Sequence, residues 1–438
     1  MPPTAVPSGG TTDGPLFGNG ELAVIFGGQT GGFSFNFGSN SFVREIGGSG
    51  GVAAVPGGVD VFAPVFSNAT FSAAQVIANG TVASRFTKSG VGTLRTSSFV
   101  RPMHRGVSLM VSKITYAADA GGPRSIELGV AARAGPLGHA DDFLIWGPCS
   151  ATPSILVANR SNGENWQDIY RGVRPAEASL GSRITRVAIA VSAFTASGGN
   201  AFTNVSVPGA GMDVGRSANG TVQLSTGETL MLLTAVVNNR DIKWADPVAA
   251  AMDALAAIQA NGLSATVSEA EAANSAAWRE YWAKSSVSLP HSLVTERYYW
   301  ASLYLLKLAA GGNSPPGLYG PFIVSDEMMW SGDIHLNYNY QATCACLVTI
   351  FMSLIIVGGP GGQRSAHDFL FISGPLPHCL ARVFCRLWSH PSGTRRTDVC
   401  VLQAFARLPE MGSCLGHEFV RMQRIRLPDR RCSLRQSK

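Results

Sequence analysis

The sequence predicts an antiparallel β-sandwich that is followed by helices. Three observations indicate this order. Between residue 15 and about residue 240, short apolar segments alternate with Gly-rich turns and show no helical period. After Asp241 the apolar residues recur with helical spacing. After residue 343 these regular patterns end and the composition changes. We therefore expect a β part, a helical part and an irregular C-terminal tail.

Four segments of the β part have the pattern of strands. Residues 22–26 form a short apolar run that two glycines close, and residues 33–37 alternate strictly between Phe and polar residues. Strict alternation predicts a half-buried strand. Residues 107–116 and 187–194 are longer segments of a similar kind. Since no helical segment separates them, these strands predict one large antiparallel β-sandwich.

A β-hairpin is predicted at the end of the β part. Residues 221–224 and 230–237 are both strand-like, and a turn that contains Thr226 and Gly227 separates them. Two strand-like segments that are joined by so short a turn are expected to pair with each other.

Three helices are predicted after the hairpin. Pro247 suits the first turn of a helix, and Gly262 ends the Ala-rich segment that follows it. Residues 266–269, Thr-Val-Ser-Glu, have the form of a capping box, which predicts that a second helix begins there. The third helix, at residues 293–307, is apolar and aromatic over a broad face, as in the interior of a helical barrel.

Four residues are expected to have structural roles only. Cys149 is the single cysteine before residue 344, so it has no disulfide partner in that part of the chain. We expect it to be a buried and inert thiol. Trp278, Tyr281 and Trp282 lie at the end of the second predicted helix, and we expect them to pack between domains and not against a ligand.

The charge distribution separates the tail from the rest of the chain. The net charge is +6 at pH 7, yet residues 1–343 carry 21 Lys and Arg against 23 Asp and Glu. Residues 344–438 carry 13 against 5, and seven of the 8 cysteines. A nearly neutral main part without a basic stripe does not predict nucleic-acid binding. The tail has no Cys-x-x-Cys pair, so no zinc site is predicted there.

Asn-x-Ser/Thr sequons in the first half of the chain indicate the secretory pathway. Glycosylated sequons lie in surface loops of secreted proteins. The N-terminus has neither the charged segment nor the apolar segment of a signal peptide, so the secreted location is expected from the sequons alone, and a missing leader and a cytosolic location both stay open. The sequons begin at Asn68, Asn79, Asn159, Asn204 and Asn219.

A run of polar and aromatic residues follows the helical part; we call residues 330–341 the polar run. Planar rings can pack against the C–H groups of a sugar, and amides and carboxylates can bind its hydroxyl groups. The polar run therefore predicts a surface that holds a carbohydrate. Its side chains with this chemistry include Trp330, Asp333, His335, Asn337 and Asn339.

Several short motifs follow one another along the chain in an order that can be compared with known protein families. Gly-Asn-Gly-Glu-Leu at residues 18–22 opens the β part. The aromatic helix at residues 293–307 is followed by Gly-Leu-Tyr-Gly at residues 317–320 and by Asn-x-Asn at residues 337–339. This order resembles glycoside hydrolase family 95, in the superfamily of six-hairpin glycosidases. The resemblance covers about residues 14–343.

The resemblance implies an activity. Members of family 95 are similar to α-L-fucosidases and α-L-galactosidases that invert the anomeric centre, which requires a carboxylic acid and an activated water. By the resemblance, Asn337 and Asn339 are catalytic residues that hold this water, with the aid of a downstream carboxylate. Trp330 would stack on the sugar, and Asp333 or His335 would bind its hydroxyl groups. The implied partner is an oligosaccharide or polysaccharide substrate, and no cofactor and no metal ion are implied.

The resemblance also predicts how the chain is divided into domains and a tail. The general acid and its partner carboxylate would come from later barrel helices, but residues 344–438 have the composition of out-of-frame or intron-derived sequence. We therefore expect the tail to be aberrant and disordered, the truncated chain to lack turnover, and an incomplete barrel to leave Tyr298, Leu303 and Leu306 without packing partners. The implied parts are the sandwich at residues 14–240, a helical linker at residues 241–289 and the first part of an (α/α)6 barrel at residues 290–343.

Two other classes of function remain open. A non-catalytic carbohydrate-binding protein would need only the sandwich and the polar run. A membrane-tethered interaction protein would need residues 342–359 to span the bilayer. These 18 residues are uncharged and reach the lower length limit of a span, but Thr343, Thr349 and Ser353 interrupt them, so no span is expected. The sequence does not predict the oligomeric state.

Overall fold

Two large antiparallel β-sheets, a small sheet and three helices make up the described part of the chain. A computed structural model describes residues 12–29, 31–46, 49–136, 145–146, 149–161, 185–208, 216–326, 328 and 332. The strands precede the helices, and side chains from both large sheets form one core. The fold class predicted from the sequence, a β-sandwich followed by helices, is therefore confirmed.

The first sheet has seven strands in the described residues. With strands numbered along the chain, its order is β1 (Leu16–Gly18), β2 (Leu22–Gln29), β3 (Gly32–Ser39), β6 (Gly57–Phe62), β11 (Ser125–Ala134), β17 (Ser217–Ser225) and β16 (Phe202–Ser206). The small sheet between β3 and β6 consists of β4 (Val43–Ile46) and β5 (Ser49–Ala53).

The second sheet has nine strands among the described residues. Its order is β12 (Ile145–Trp146), β14 (Leu156–Ser161), β15 (Arg186–Thr195), β18 (Thr229–Asn238), β10 (Val107–Ala118), β9 (Gly92–Val100), β8 (Thr81–Lys88) and β7 (Thr70–Val76), and β13 (Ser150–Ala151) also pairs with β14. A short 3-10 helix, Pro64–Phe66, leads from the first sheet into the second.

Phenylalanine rings join the two sheets. Phe26 and Phe33 of the first sheet stack on Phe71 and Phe86 of the second, with ring centroids 6.1 Å and 5.7 Å apart. All four rings are buried. Burying one such side chain contributes roughly 1.5–3 kcal/mol, so these rings are a main source of cohesion between the sheets.

Strand β3 is buried on both faces, and the expectation of a half-buried strand is wrong. The polar residues Ser34 and Asn36 are 0% and 1% exposed. Asn36 accepts a hydrogen bond of 2.8 Å from Arg133, and Gly38 lies against the backbone of Pro321. Alternation shows which face of a strand is polar, but it does not show whether another segment covers that face.

The predicted hairpin is wrong in its pairing, although its strands and its turn are present. Strand β17 pairs with β11 and β16 in the first sheet, whereas β18 pairs with β10 and β15 in the second. The turn contains Gly227 at φ 83° and carries the chain from one sheet to the other. Both strands still bury apolar residues in the same core, because they face it from opposite sides.

Three helices follow the sandwich: α1 (Pro247–Asn261), α2 (Leu263–Trp282) and α3 (Leu293–Ala309). The predicted start of α1 is confirmed, because Asp246 caps it by accepting a hydrogen bond of 3.0 Å from the Val248 backbone. Its predicted end is also confirmed at Gly262, which has φ 90°. Helix α1 packs its Ala251 and Leu255 against the outer face of β15 and β18.

Helix α2 begins earlier than the capping-box pattern predicts. It starts at Leu263, directly after Gly262, and Thr266 lies within its first turns. The Thr266 hydroxyl donates to the Gly262 carbonyl oxygen at 3.2 Å and does not cap the helix. A Thr hydroxyl can bond to a carbonyl four residues earlier inside a helix, so the Thr-x-x-Glu pattern alone does not fix a helix start.

Aromatic side chains attach the helices to the sandwich, as expected for Trp278, Tyr281 and Trp282. Trp278 is 2% exposed and stacks on Tyr304 of α3 at 5.0 Å between ring centroids. The Trp282 ring nitrogen donates to the Ile77 carbonyl oxygen at 3.2 Å, and Tyr304 donates to the Leu16 carbonyl oxygen at 2.7 Å. The predicted packing role of these aromatic residues is therefore confirmed.

Cys149 is buried as predicted, and burial raises the pKa of its thiol to about 11.

The sequons are only partly in loops. Asn68 and Asn79 lie in turns, whereas Asn159, Asn204 and Asn219 lie within strands of the sandwich. Two of the five sequons thus fit the loop positions typical of glycosylation sites, and the secreted location stays a prediction.

None of the helices in the described residues combines the length and the apolar composition that crossing a membrane requires. The apolar residues 342–359 lie outside the described residues.

The close approach at Gly38 gives a test of the fold. A Cβ atom at Gly38 would lie 1.7 Å from the backbone oxygen of Pro321. We expect Gly38→Ala to destabilise the chain by about 1–3 kcal/mol, because a rigid backbone would have to move. The matched control is Gly129→Ala, another strand glycine, where the nearest atom to the new Cβ is 3.4 Å away in the Phe62 side chain. Chemical denaturation should show a loss for the first variant and almost none for the second; equal losses would contradict the packing described.

Candidate functional site

The residues proposed from the sequence to bind and hydrolyse a sugar lie outside the described residues. This applies to Trp330, Asp333, His335, Asn337 and Asn339. The structure does describe most of the chain that leads to them, from the end of α3 to Asp326, and also Met328 and Gly332. The contacts of this segment with the sandwich therefore define the frame of the candidate site.

A buried ion pair holds this segment on the sandwich; we call Arg160, Asp326 and the backbone of Val55 the Asp326 anchor. Arg160 of β14 donates to both carboxylate oxygens of Asp326, at 3.1 Å to Oδ1 and 2.5 Å to Oδ2. Arg160 also donates to the Val55 carbonyl oxygen, and the Val55 backbone N–H donates to Asp326 Oδ1 at 2.8 Å. The two side chains are 0% and 6% exposed.

Apolar contacts extend on both sides of the anchor. Ile323 packs in one cluster with Ala53 and Val55, and Tyr319 and Met328 pack against that cluster. Gly332 lies in the same place, since a Cβ atom there would be 3.1 Å from the Ala53 side chain. Four described residues after α3 thus contact the end of β5 or the segment between β5 and β6: Tyr319, Ile323, Met328 and Gly332.

The Gly-Asn-Gly turn at residues 18–20 forms a second contact with the helical part. Asn19 holds the turn closed, because its Oδ1 accepts hydrogen bonds from the backbone of Glu21 at 3.1 Å and of Leu22 at 2.9 Å. Asn40 links the turn to α3. Its side-chain amide donates to the Gly20 carbonyl oxygen at 2.9 Å and to the carbonyl oxygen of Ala309, the last residue of α3, at 2.8 Å. The turn is therefore bonded to the C-terminal end of α3.

Glu21 lies in a polar group that we call the Glu21 cluster, with Ser39, Ser41, Asp241 and Ser314. Glu21 Oε1 accepts hydrogen bonds from the Ser39 hydroxyl at 2.8 Å and from the Ser41 backbone at 2.7 Å. The Ser41 hydroxyl donates to Asp241 Oδ1 at 3.1 Å and lies 2.9 Å from the Ser314 hydroxyl. The cluster joins the turn before β2, the end of β3, the segment after β18 and the loop after α3.

Burial and, to a smaller extent, the negative charge of Asp241 raise the pKa of Glu21 to about 7, against the hydrogen bonds from Ser39 and Ser41, which lower it. Burial also raises the pKa of Asp241, although Asn313 and the positive charge of Arg240 act in the other direction. The two carboxyl groups consequently do not favour carrying two full charges near neutral pH.

A carboxyl group with so high a pKa has the acidity of a general acid, but the surroundings of Glu21 do not suit that role. Glu21 is 2% exposed, and its second oxygen has no hydrogen-bond partner among the described residues. That oxygen is covered by Gly312, where a Cβ atom would lie 2.1 Å from it. A general acid must reach the leaving oxygen of a substrate, so we assign Glu21 to the junction and not to catalysis.

Helix α3 presents part of its apolar face to solvent. Val294, Tyr298 and Leu305 are 65%, 71% and 40% exposed, and Val294 and Tyr298 border a shallow depression. Among the described residues, the exposure of Tyr298 confirms the expectation that it lacks a packing partner. The same expectation is wrong for Leu303, which is 5% exposed. Leu306 is half-buried.

In the part of the chain that the structure describes, no group of three or more His, Cys, Asp or Glu side chains is arranged to hold a metal ion.

Neither Arg160 nor Glu21 was proposed from the sequence as a residue of the candidate site, although the sequence shows each of them next to an apolar run. Arg160 interrupts the apolar run of β14, and Glu21 directly precedes the apolar run of β2. Charged residues next to buried runs are seldom buried unless they have partners. The groups that surround them are distant in sequence, since Arg160 pairs with Asp326 and Glu21 is bonded by Ser39 and Ser41 and lies near Asp241, so no local pattern could identify them.

The chain matches no protein-family model, and no curated protein sequence is similar to it. A solved structure with a similar arrangement is described as "Putative kojibiose phosphorylase from human microbiome". The TM-score is 0.49 and the sequence identity is 7%, and the match covers 70% of this chain and 41% of that chain. This chain thus spans well under half the length of that structure. A likeness of this size carries no information on activity or catalytic residues, and the resemblance to family 95 stays a prediction.

The Glu21 cluster predicts how stability depends on pH. The pKa of Glu21 is about 7 in the folded chain, against an ordinary value of 4.5, so the folded state binds this proton more tightly than the unfolded state does. Stability should therefore fall as the pH rises from about 4.5 to about 7. At about 1.4 kcal/mol per pH unit, the loss is on the order of 3 kcal/mol.

Glu21→Gln removes this ionisation and keeps the shape of the side chain. We expect the variant to match the wild type near pH 5 and to exceed its stability near pH 8 in urea unfolding. Glu127→Gln, at an exposed position on β11, is the control and should not change the pH profile. Equal destabilisation of Glu21→Gln at both pH values would show that Glu21 is ionised in the folded chain throughout.

Proposed function

We propose that this chain is a carbohydrate-active protein related to the six-hairpin glycosidases and to family 95 among them. The reaction we propose for this kind of protein is the inverting hydrolysis of an α-linked L-fucosyl or galactosyl residue. The substrate would be an oligosaccharide or a polysaccharide. The proposal is supported by the order of the parts, in which a β-sandwich, three helices and a sugar-compatible polar run follow one another.

The observation that carries the proposal is the Asp326 anchor. It fixes the chain to the sandwich just before Trp330, and Gly332 contacts the same region through Ala53. A binding site requires side chains that are held by rigid elements, and the sandwich is such an element. The anchor therefore supplies what the polar run would need in order to present its aromatic and amide groups in a defined direction.

The proposed division of roles follows from the chemistry of the side chains. The amide oxygens of Asn337 and Asn339 can accept hydrogen bonds from a water molecule and so orient it, but amides are too weakly basic to remove its proton. Hydrolysis with inversion needs one carboxyl group as acid and another as base. Asp333 and His335 are proposed to bind hydroxyl groups, and Trp330 to cover one face of the sugar. We propose that this chain binds the sugar without turning it over, because the matched motifs supply no such pair of carboxyl groups.

Sugar binding can be tested on the chain itself by calorimetric titration with methyl α-L-fucoside, methyl α-galactoside and methyl α-glucoside. We expect binding of one of the first two. Trp330→Ala should weaken it by about tenfold or more, since aromatic anchors dominate binding energy. The matched control is Trp244→Ala, which removes a tryptophan that is 46% exposed in the loop before α1.

The same samples test the reaction, with the anomeric protons followed by NMR. No hydrolysis is expected. Binding of none of the three glycosides would contradict a carbohydrate function. Hydrolysis that disappears in Asn337→Ala would support the proposed reaction and contradict the proposed lack of turnover, whereas hydrolysis unchanged in that variant would contradict the role of Asn337.

A further inference from the structure

We propose that Asn68 is an N-glycosylation site and that its glycan covers the open edge of the second sheet at strand β7. This role belongs to the chain in the secretory pathway, the location that the sequons predict, and it is independent of the proposed carbohydrate function. Two features of the described residues support it. The sequon at Asn68 is exposed whereas the sequon at the other end of β7 is closed, and β7 is an edge strand without the usual protection.

Asn68 lies in the turn that leads from the 3-10 helix into β7, and its side chain is free to carry a glycan. The residue is exposed, and its side-chain amide makes no hydrogen bond within the part of the chain that the structure describes. Its φ is 61°, a left-handed conformation that Asn adopts more readily than most other residues with side chains. Thr70, the third residue of the sequon, is exposed as well.

Attachment of a glycan consumes the side-chain amide of the acceptor. In the step that we assign to Asn68, its Nδ2 atom attacks C1 of an oligosaccharide that is linked to a lipid diphosphate. The bond between Nδ2 and C1 forms, the bond between C1 and the diphosphate oxygen breaks, the lipid diphosphate leaves, and an amide proton passes to a base of the host transferase. Because this step takes place on the nascent chain, the folded chain must leave room for the glycan, and the exposure of Asn68 provides that room.

The sequon at Asn79 lies in the turn at the other end of β7 and is closed by α2. Both sequons have a small middle residue and end in Thr, so the motif alone does not separate them. Asn274 of α2 donates to the Asn79 carbonyl oxygen at 2.7 Å, and Asn79 Oδ1 is buried without a hydrogen-bond partner among the described residues. At Gly80, a Cβ atom would overlap the ring of Trp278. Since Nδ2 belongs to the same amide group, a glycan on Asn79 would force α2 away from the sandwich.

Strand β7 is the least protected edge of the two large sheets. A sheet edge presents unpaired backbone groups to which another chain can add, and proteins protect edges by short strands, charges, proline or bulges. Among the described residues, the edge strands β1 and β12 have only 3 and 2 residues, and β16 pairs irregularly between Phe202 and Asn204. Strand β7 has 7 residues, pairs regularly with β8 and contains no charged residue and no proline.

A glycan on Asn68 supplies the protection that the sequence of β7 lacks. Asn68 precedes the first residue of β7 by two positions, which is at most about 7 Å of chain. An N-glycan is bulky and solubilising, so it hinders a second chain from reaching an edge beside it. The edge is otherwise accessible, since most side chains of β7 are exposed, among them Val76 at 41%.

The assignment of Asn68 is tested by the occupancy of the sequons. The full chain, with a cleavable signal peptide in front, is expressed in animal cells, and each sequon is mapped by peptide mass spectrometry after enzymatic release of the glycans in heavy-oxygen water. We expect Asn68 to be glycosylated in most molecules and Asn79 in few. Equal occupancy of both, or an unoccupied Asn68, would show that the assignment is wrong. Should the chain not be secreted, the same comparison is made on the chain extracted from the endoplasmic reticulum.

The role of the glycan is tested by the rate of aggregation. Asn68→Gly removes the acceptor and suits a φ of 61°. We expect the chain from animal cells to aggregate about threefold faster or more in this variant, measured by light scattering, because the edge of β7 is uncovered. Asn204→Gln is the matched control and should leave the rate unchanged, since it removes an exposed sequon on an edge strand whose pairing is already irregular.

The same variants produced in bacteria, without glycans, separate the effect of the glycan from that of the side chain. There, Asn68→Gly should aggregate at the rate of the wild type. Equal acceleration with and without glycans would assign the effect to the substitution and contradict the role of the glycan, as would an unchanged rate in the chain from animal cells. None of these results depends on sugar binding, which the calorimetric titration tests separately.

Discussion

The chain after α3 runs in direct contact with the sandwich, and most of what the structure shows about the candidate site depends on this contact. Gly20 lies against Gly311, Gly38 against Pro321, and Gly312 against Glu21. At each point a Cβ atom would lie within 2.8 Å of its neighbour, so any larger residue would push the two parts of the chain apart. The glycines therefore permit a close approach of the two parts of the chain. The aromatic residues between the helices and the sandwich then stabilise this arrangement.

Charged groups lie at two places along the contact between the sandwich and the chain after α3, and they differ in how their charge is balanced. Asp326 has the guanidinium of Arg160 as a full counter-charge, and the pair is closed by hydrogen bonds. Glu21 has only neutral donors and lies near a second carboxyl group, Asp241. The Asp326 anchor is thus electrostatically complete, whereas the Glu21 cluster favours a proton. Because both connect the sandwich to the segment after α3, the end near α3 is the one whose stability should depend on pH.

The sequence predicted those features of the fold that depend on neighbouring residues. The strand pattern, the start of α1 at Pro247, its end at Gly262 and the packing role of Trp278 were all predicted. The features that failed depend on distant residues. The partner of β17 is set by the whole sheet, and the burial of β3 is set by residues such as Arg133 and Pro321 that follow much later. Thr266 failed for another reason, since the same hydroxyl can cap a helix or bond within it.

The candidate site shows the same division between local and distant determinants. The polar run was found because its aromatic and amide residues are contiguous, so a local pattern contains them all. The Asp326 anchor draws Arg160 from the second sheet, Val55 from the segment between β5 and β6, and Asp326 from beyond α3. Such a group has no sequence pattern of its own. A contiguous run can be recognised from the sequence alone, whereas an ion pair between distant segments is recognised only once the fold is known. The Asp326 anchor is such a pair, and two of its three members, Arg160 and Val55, belong to the sandwich, so the segment after α3 is held by residues that precede it by more than 160 positions.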